Sequence, residues 1–193
     1  MIRGDGVEYD KLAEWVKTLP IYSESPSQII TCEIGVREGL GSKVIMDEIT
    51  RRLPGIRYKH IAIDPYGDLL YQHYDKDAIG KPDFPVKADY TDSMMKQMIQ
   101  DFSRYPEFKF HNMTDVEFMN KHPEMGPFDF VHFDGPHMTR SVLTESIWFA
   151  NRSRRGTRFV FDDYISYSMD QVAYCLTYFD FKTIEAGENK ICL

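Results

Sequence analysis

The sequence lacks the features that mark membrane proteins, disulfide-bonded secreted domains and nucleic-acid-binding proteins. Its 193 residues include three cysteines, an odd number, so we expect reduced thiols rather than paired disulfides. The net charge is −7, whereas broad affinity for nucleic acid needs clustered Lys and Arg. No run of about 18 apolar residues occurs, and the N-terminus has no apolar signal core. We therefore expect a cytoplasmic protein that binds neither nucleic acid nor membranes.

The sequence also lacks a linker rich in Pro, Gly or Ser. Its apolar content of 42% suffices for the core of one domain, so residues 1–193 are interpreted as a single domain. Apolar residues share one helical face between Asp10 and Leu19, which predicts an N-terminal helical flank within residues 1–27. That face can dock on the chain's own sheet or on a partner, so a homo-oligomer is an open expectation.

The segment 65–90 differs from the rest of the chain in its many aromatic, Asp and Lys residues. It is long for a connection, and long ordered loops often serve as lids or binding loops. We predict a lid or substrate-binding insertion whose tyrosines and His73 offer aromatic faces and polar groups to an acceptor. A surface insertion without a binding role is the alternative.

Strand and helix patterns alternate along the chain. This order predicts an α/β fold with a mostly parallel seven-stranded sheet, helices on both faces and a C-terminal antiparallel hairpin. The strands are predicted at residues 29–34, 58–63, 108–111, 128–133, 157–161, 181–185 and 190–193. Helices are predicted at residues 42–53 and 168–179, after the N-caps Thr91 and Asp115, and as a crossover before residue 157.

Three acids and a histidine follow two of the predicted strands. Asp134 and His137 come after the strand 128–133, and Asp162 and Asp163 follow the strand 157–161. A single crossover helix fits between these strands, so they should be parallel neighbours whose carboxyl ends meet. Three carboxylates there repel one another, and a divalent cation is the simplest relief, with Mg²⁺ or Ca²⁺ suiting oxygen ligands. Each acid can instead be an ordinary turn residue, and His137 an ordinary loop histidine.

A glycine-containing turn follows the first strand. It runs from Glu33 through Gly35 to Gly39, and the next helix offers unpaired N–H groups. Asp64 ends the second strand, where an acid can accept hydrogen bonds from ribose hydroxyls. The turn lacks the Gly-x-Gly-x-x-Gly pattern, and its acidic first residue suits a cationic or amino-acid-bearing ligand better than a pyrophosphate. A turn that binds no ligand is the alternative.

Together these features resemble class I S-adenosylmethionine-dependent methyltransferases. The resemblance rests on Glu33-x-Gly35-x-x-x-Gly39, on Asp64, on the fourth strand that ends at Asp134 and on the closing hairpin. It covers the chain from residue 29 onward and implies a Rossmann-like methyltransferase fold with S-adenosylmethionine as cofactor. It implies that the methionine part is held by Glu33, Gly35, Gly39 and Ser42, the ribose by Asp64 and the adenine by Asn112, Met113 and Thr114, with Asp134 beside the cofactor.

Within that family, Asp134-Gly135-Pro136-His137 and Asp162-Asp163-Tyr164 resemble Mg²⁺-dependent O-methyltransferases of macrolide sugars and aminocoumarin sugars. The resemblance implies that Asp134, Asp162 and Asp163 bind Mg²⁺ or another divalent cation. It also implies that Asp134 and His137 are catalytic, with His137 or a neighbour as the general base. The acceptor would be a small hydroxylated molecule. One departure is Arg154-Arg155-Gly156, where many relatives have Gly-Gly.

Two other functions fit parts of the same pattern. The first is an NAD- or FAD-binding oxidoreductase on a similar sheet, but the missing Gly-x-Gly-x-x-Gly and the reversed terminal hairpin argue against it. The second is a non-catalytic nucleotide-binding protein of the same fold, because fold does not fix function. Retention of all three acids argues against the second.

Overall fold

A seven-stranded sheet lies at the centre of the computed structural model. The structure describes residues 7–20, 28–67, 69–72, 74–75, 84–87 and 90–193. The helices are α1 (Tyr9–Lys17), α2 (Leu40–Arg52), α3 (Asp92–Phe102), α4 (Asp115–Lys121), α5 (Thr139–Ala150) and α6 (Met169–Leu176), which a 3₁₀ helix (Thr177–Phe179) follows. The strands are β1 (Ile29–Ile34), β2 (Tyr58–Ile63), β3 (Leu70–Tyr71), β4 (Val86–Lys87), β5 (Phe108–His111), β6 (Phe128–Phe133), β7 (Ser153–Phe161), β8 (Glu185–Ala186) and β9 (Ile191–Cys192).

The order of strands in the sheet is β5-β2-β1-β6-β7-β9-β8. The first five strands are parallel to one another, whereas β9 pairs antiparallel with both β7 and β8. This arrangement confirms the predicted mostly parallel sheet and its C-terminal antiparallel hairpin. Chain order reverses between β1 and β6, so the ligand crevice of such a sheet lies at the carboxyl ends of these two strands.

Helices cover both faces of the sheet because successive strand residues point to opposite sides. On one face, α5 and α6 pack with Ile34, Phe133 and Phe161. On the other, α1 and α2 pack with Ile29, Phe130 and Val160, and α3 packs beside them against α2 and Ala62. The strands therefore sit between two apolar layers, and their ends are the places left for polar side chains.

The predicted N-terminal helix is present as α1, and it docks on its own sheet. Its apolar face joins α2 and the sheet residues Phe130 and Val160 in one buried cluster. The members of that face, each at most 3% exposed, are Leu12, Trp15, Val16 and Leu19. The rest of the predicted flank, residues 1–6 and 21–27, lies outside the described residues.

Several element ends differ from the predicted ones, those of α4 and β7 among them. Helix α4 is capped by Thr114 rather than Asp115, because the Thr114 hydroxyl accepts from the Glu117 N–H while the Glu117 carboxylate accepts from the Thr114 N–H. Strand β7 begins four residues before Thr157, at Ser153. Its early part is stabilised by the ion pair between Arg154 and Asp129 of β6.

The segment 65–90 contributes a small two-stranded ladder of β3 and β4. His73 and most of residues 76–89 lie outside the described residues, so the predicted insertion is seen only in part. In the described part, Tyr66 is buried between Tyr90 and Phe110. No helix in the described part of the chain is long and apolar enough to cross a membrane.

Candidate active site

A cavity of about 240 Å³ opens at the carboxyl ends of β1, β2 and β6. Three of the residues predicted to bind a cofactor line it, namely Gly35, Asp64 and Thr114. Leu69, Leu70, Gln72 and Tyr90 from the segment 65–90 close one side. Asp115 also lines the cavity, although its sequence position pointed only to a helix cap. Burial raises the pKa of Asp115 above its usual range.

Asp64 links the cavity to the glycine-containing turn. Its Oδ2 accepts hydrogen bonds from the backbone N–H groups of Val36 (2.8 Å) and Arg37 (2.7 Å). Burial raises the pKa of Asp64 to about 7, although these two hydrogen bonds lower it. The carboxyl group therefore fixes the turn with one oxygen and can offer the other to a ligand in the cavity.

Gly35 and Gly39 are required by the packing of the turn. Both have left-handed φ angles, +82° and +87°. A Cβ at Gly35 would lie 2.0 Å from the carbonyl oxygen of Asp134, so the turns after β1 and β6 touch backbone to backbone. A Cβ at Gly39 would lie 2.5 Å from the ring of Phe102. Close packing of chain segments therefore requires glycine at both positions, whether or not a ligand binds at the turn.

Glu33 and Ser42 lie in a buried hydrogen-bond network beneath the cavity. Ser42 Oγ donates to Glu33 Oε2 and lies 2.9 Å from His60 Nε2. Glu33 Oε1 lies 3.0 Å from Nδ1 of His132, its partner across β1 and β6. Burial lowers the pKa of His60 to about 4, so this ring is neutral near pH 7. Glu33 and Ser42, two of the four residues predicted to hold the methionine part, are therefore already hydrogen-bonded within the protein.

The three residues predicted to border the adenine have different surroundings. Thr114 lines the cavity and caps α4. Asn112 Oδ1 accepts a hydrogen bond of 3.0 Å from the Tyr66 N–H, which ties the end of β5 to the segment 65–90. Met113 packs against the apolar core. Thr114 is thus the member of the three that faces the cavity directly.

Asp134 and Asp162 form a hydrogen-bonded carboxyl pair beyond the ends of β6 and β7. Burial and the charge of Asp162 raise the pKa of Asp134 well above its usual range. Burial also acts on Asp162, but His132 and Lys190 outweigh it and leave the pKa of Asp162 below its usual range. Of the two carboxyl groups, Asp134 is therefore the one whose protonated form the fold favours.

One oxygen of Asp162 is crowded with donors. Oδ1 accepts from Asn189 Nδ2 at 2.6 Å, from the Asp163 N–H at 3.0 Å and from Lys190 Nζ. The side chain of Lys190 is 0% exposed, and the chain therefore holds a buried ammonium against a buried carboxylate. Lys190 was not predicted from the sequence. The available signal was its place in an apolar predicted strand, two residues before Cys192 and therefore on the same side of the strand.

Asp163 does not join the carboxyl pair. Its φ angle is +50°, and its Oδ2 lies 3.8 Å from His137 Nε2, within ion-pair distance of a protonated ring. The His137 ring stacks on Tyr167 with centroids 4.0 Å apart, and Tyr167 stacks on Tyr74 at 5.2 Å. His137 and Asp163 thus form a second polar group, bordered by aromatic rings.

The predicted magnesium site can be tested against these contacts. Among the described residues, the group able to hold a metal ion comprises His132, Asp134 and Asp162, with one ligand atom of each within 4.8 Å of the others. Asp163 is not a member, and the Lys190 ammonium already contacts Asp162. A dication would meet both the charge of Lys190 and an Asp162 oxygen that has three donors. The residues as arranged therefore do not fit an octahedral Mg²⁺ held by Asp134, Asp162 and Asp163.

Comparison with known proteins identifies the family of this chain and solved structures that share its fold. A family model described as a methyltransferase domain matches residues 32–164, well over half of the chain. The solved structure of the O-methyltransferase NovP has a TM-score of 0.68 at 16% identity, and the match covers 96% of this chain and 78% of NovP. CalS11, a calicheamicin methyltransferase, has a TM-score of 0.63 at 13% identity, with coverages of 96% and 76%.

A third structure, an O-methyltransferase from Bacillus cereus in complex with SAH, has a TM-score of 0.56 at 12% identity. The match covers 85% of this chain and 59% of that enzyme. At such identities these structures show a shared fold. No curated protein matches the sequence significantly.

Proposed function

Because the chain belongs to the methyltransferase-domain family, we propose that it is an S-adenosylmethionine-dependent O-methyltransferase of a small hydroxylated molecule. The observation that carries this proposal is the juxtaposition of two features. The cavity bordered by Gly35 and Asp64 lies at the carboxyl ends of β1 and β2, and the turn after β6 carries His137 beside it. Gly135, Pro136 and Met138 of that turn line the same cavity.

The cavity suits the nucleoside part of the cofactor. Asp64 can accept hydrogen bonds from ribose hydroxyls, as an acid at the end of the second strand does in related sheets. Apolar side chains such as Ile34, Ile63 and Leu70 line the remaining wall and suit the face of an adenine ring. In support, a solved structure with the same fold is described in complex with SAH. No observation favours a dinucleotide-dependent oxidoreductase.

The proposed reaction is an in-line displacement at the methyl carbon. S-adenosylmethionine, when bound, would supply an electrophilic methyl group, so that attack by the acceptor oxygen would break the carbon–sulfur bond and leave a neutral thioether. His137 takes the hydroxyl proton at Nδ1 while Asp163 faces Nε2 and stabilises the imidazolium. The stacked rings of Tyr167 and Tyr74 support a sugar or phenol beside His137, and positioning of its hydroxyl contributes further to the rate.

No step of this reaction is assigned to a metal ion. Magnesium assistance remains a prediction from the sequence, and the contacts of Lys190 and the separate position of Asp163 speak against it. Asp134 and Asp162 instead act as a hydrogen-bonded carboxyl pair that shapes the end of the crevice between β6 and β7.

Calorimetry with S-adenosylhomocysteine tests the cofactor site without an acceptor. We expect Asp64→Ala to weaken binding by roughly ten- to a hundredfold, because hydrogen bonds to a charged group contribute about 1.5–3 kcal/mol each. Asp47→Ala, which removes an exposed carboxylate of α2, is the matched control and should leave the affinity unchanged. Absence of heat with the unmodified protein, for both S-adenosylmethionine and S-adenosylhomocysteine, would refute the proposal.

Transfer of a labelled methyl group to a panel of phenols and sugars then identifies the acceptor class. Label recovered in a small-molecule ether supports the proposed function. Label recovered only on nitrogen or carbon of a panel member would show a different methyl acceptor.

A further inference from the structure

Three acidic side chains lie at the end of the crevice, and their combined negative charge is unfavourable away from water unless a cation lies beside them. Glu33, Asp134 and Asp162 lie on or just beyond neighbouring strands, and their carboxyl groups are largely removed from water. A buried carboxylate is stabilised only when it is paired or hydrogen-bonded. The carboxyl groups of Asp134 and Asp162 are hydrogen-bonded to each other, and the ammonium of Lys190 lies against Asp162.

Lys190 is held in this position from two sides. Its Nζ donates to Asp162 Oδ1 and lies 4.8 Å from the centroid of the Tyr9 ring, so the charge meets a carboxylate and an aromatic face. Lysine is almost never fully buried unless it is paired. Because its side chain is fully buried, Lys190 is part of the packed interior and not a surface lysine.

The backbone around Lys190 is fixed by the N-terminal helix. The Glu8 carboxylate accepts from three successive N–H groups, those of Glu188 (2.7 Å), Asn189 (2.9 Å) and Lys190 (2.7 Å). Tyr9 is the next residue after Glu8, so one attachment places both the ring and the ammonium. The position of Lys190 therefore depends on α1 as well as on the hairpin.

We propose that Lys190 is the resident cation of this site and takes the place that a divalent metal ion would fill between Asp134, Asp162 and His132. The expected result for methyl transfer rests on the proposed function, whereas the assignment of Lys190 as the cation does not. Lys190 is a positioning residue, because it acts through the carboxylate of Asp162 and not on the acceptor. Bound metal would have to displace an ammonium that water does not reach.

Mn²⁺ titration followed by electron paramagnetic resonance tests the unmodified protein, with and without S-adenosylhomocysteine. We expect no stoichiometric Mn²⁺ binding and methyl transfer that is unchanged in excess EDTA. One Mn²⁺ bound per chain and lost in Asp162→Asn would overturn the proposal. Because the titration needs no acceptor and no bound cofactor, its outcome is independent of whether the protein is an O-methyltransferase.

The variant Lys190→Met supplies the second test. It removes the ammonium and keeps the apolar stem, so Asp162, Asp134 and His132 become free to hold a dication. We expect it to bind Mn²⁺ at least roughly tenfold more tightly than the unmodified protein, and to lose that gain in the double variant with Asp162→Asn. Lys11→Met, which removes an ammonium paired with Glu185 on the outer side of the hairpin, should give no gain.

Equal Mn²⁺ affinity of Lys190→Met and the unmodified protein would contradict the proposal. If Lys190→Met does not fold, the titration of the unmodified protein still decides between the ammonium and a metal ion.

Discussion

His137 and Asp163 lie on loops that follow two neighbouring parallel strands, and their side chains face each other across 3.8 Å. An imidazole beside a carboxylate is a common arrangement for proton transfer, because the carboxylate orients the ring and stabilises its charged form. The ring also stacks on Tyr167, which restricts its orientation further. A base held in this way can act on a hydroxyl without prior acidification of that hydroxyl by a metal.

The variant His137→Gln tests this role. We expect turnover to fall by roughly a hundred- to ten-thousandfold, the usual contribution of a general base, while the affinity for S-adenosylhomocysteine changes less than about twofold. The measurements are turnover at saturating acceptor and calorimetry. His122→Gln, which alters a histidine in edge-to-face contact with His111, is the control. Turnover that persists in His137→Gln would place the base elsewhere.

The neighbouring acids show which parts of the site a sequence can specify. The pair Asp162-Asp163 after an apolar run predicted carboxylates at a strand end, and Asp162 is found there. The left-handed φ of Asp163 directs the two side chains to different partners, and although Asp adopts this angle more often than most residues, it does so too rarely for the sequence to predict it. Lys190 comes to Asp162 from 28 residues further along the chain, so no local pattern joins them.

At the scale of elements, α1 and the C-terminal hairpin depend on each other. Glu8 accepts three hairpin N–H groups, Glu185 of β8 accepts from Trp15 Nε1 at 2.8 Å, and Arg158 of β7 donates to the end of α1 at Thr18. Burial alone would raise the pKa of Glu8, but these backbone donors lower it below its usual value. The charged form is therefore the one that the fold stabilises.

Glu8→Gln should destabilise the protein by about 1–2 kcal/mol, since charge-assisted hydrogen bonds become neutral ones at a partly exposed site. Urea unfolding at neutral pH measures the change. Because a lowered pKa confers stability above the unfolded value of the group, the difference should vanish as the carboxylate protonates in acid. Glu14→Gln, in an exposed pair with Lys17, should change stability by less than about 0.5 kcal/mol. Equal stabilities of Glu8→Gln and the unmodified protein at neutral pH would show that the attachment contributes nothing.

The strands were the elements best predicted from the sequence. Apolar runs bounded by polar turns give β1, β2, β5 and β6 at their predicted residues. The predicted hairpin strands, 181–185 and 190–193, were longer than β8 and β9, and β8 shares only Glu185 with its predicted range. Between the two strands, the N–H groups of Glu188 and Asn189 donate to Glu8 instead of continuing the ladder. Contacts between distant segments therefore set the ends of these strands.

At the scale of the whole molecule, one acid of α5 is buried without a full set of partners. Glu145 of α5 is 1% exposed, and its Oε1 has no hydrogen-bond partner among the described residues. Burial, with a smaller effect of Asp115, raises its pKa well above the usual range. Asp134 shares this property, whereas the pKa of His60 is lowered to about 4. Folding therefore favours the protonated form of both carboxyl groups.

A carboxyl group whose pKa is raised by folding stabilises the folded state at low pH, and this contribution is lost as the pH rises toward the folded pKa. Each such proton gives a slope of at most about 1.4 kcal/mol per pH unit. Between pH 7 and 8, where His60 is neutral in both states, we expect the free energy of unfolding of the cofactor-free protein to fall with pH. Glu145→Gln should flatten that slope by up to about 1.4 kcal/mol per pH unit, because its amide has no proton to lose.

Urea unfolding at the two pH values measures both slopes, and the exposed Glu124→Gln should behave as the unmodified protein does. Parallel slopes for Glu145→Gln and the unmodified protein would mean that Glu145 is ionised in the folded state. Its charge would then need a partner on α4 or α5 that the observed contacts do not include. A flattened slope would instead identify Glu145 as a buried neutral acid, which separates the pH dependence of the fold from that of the acids at the crevice.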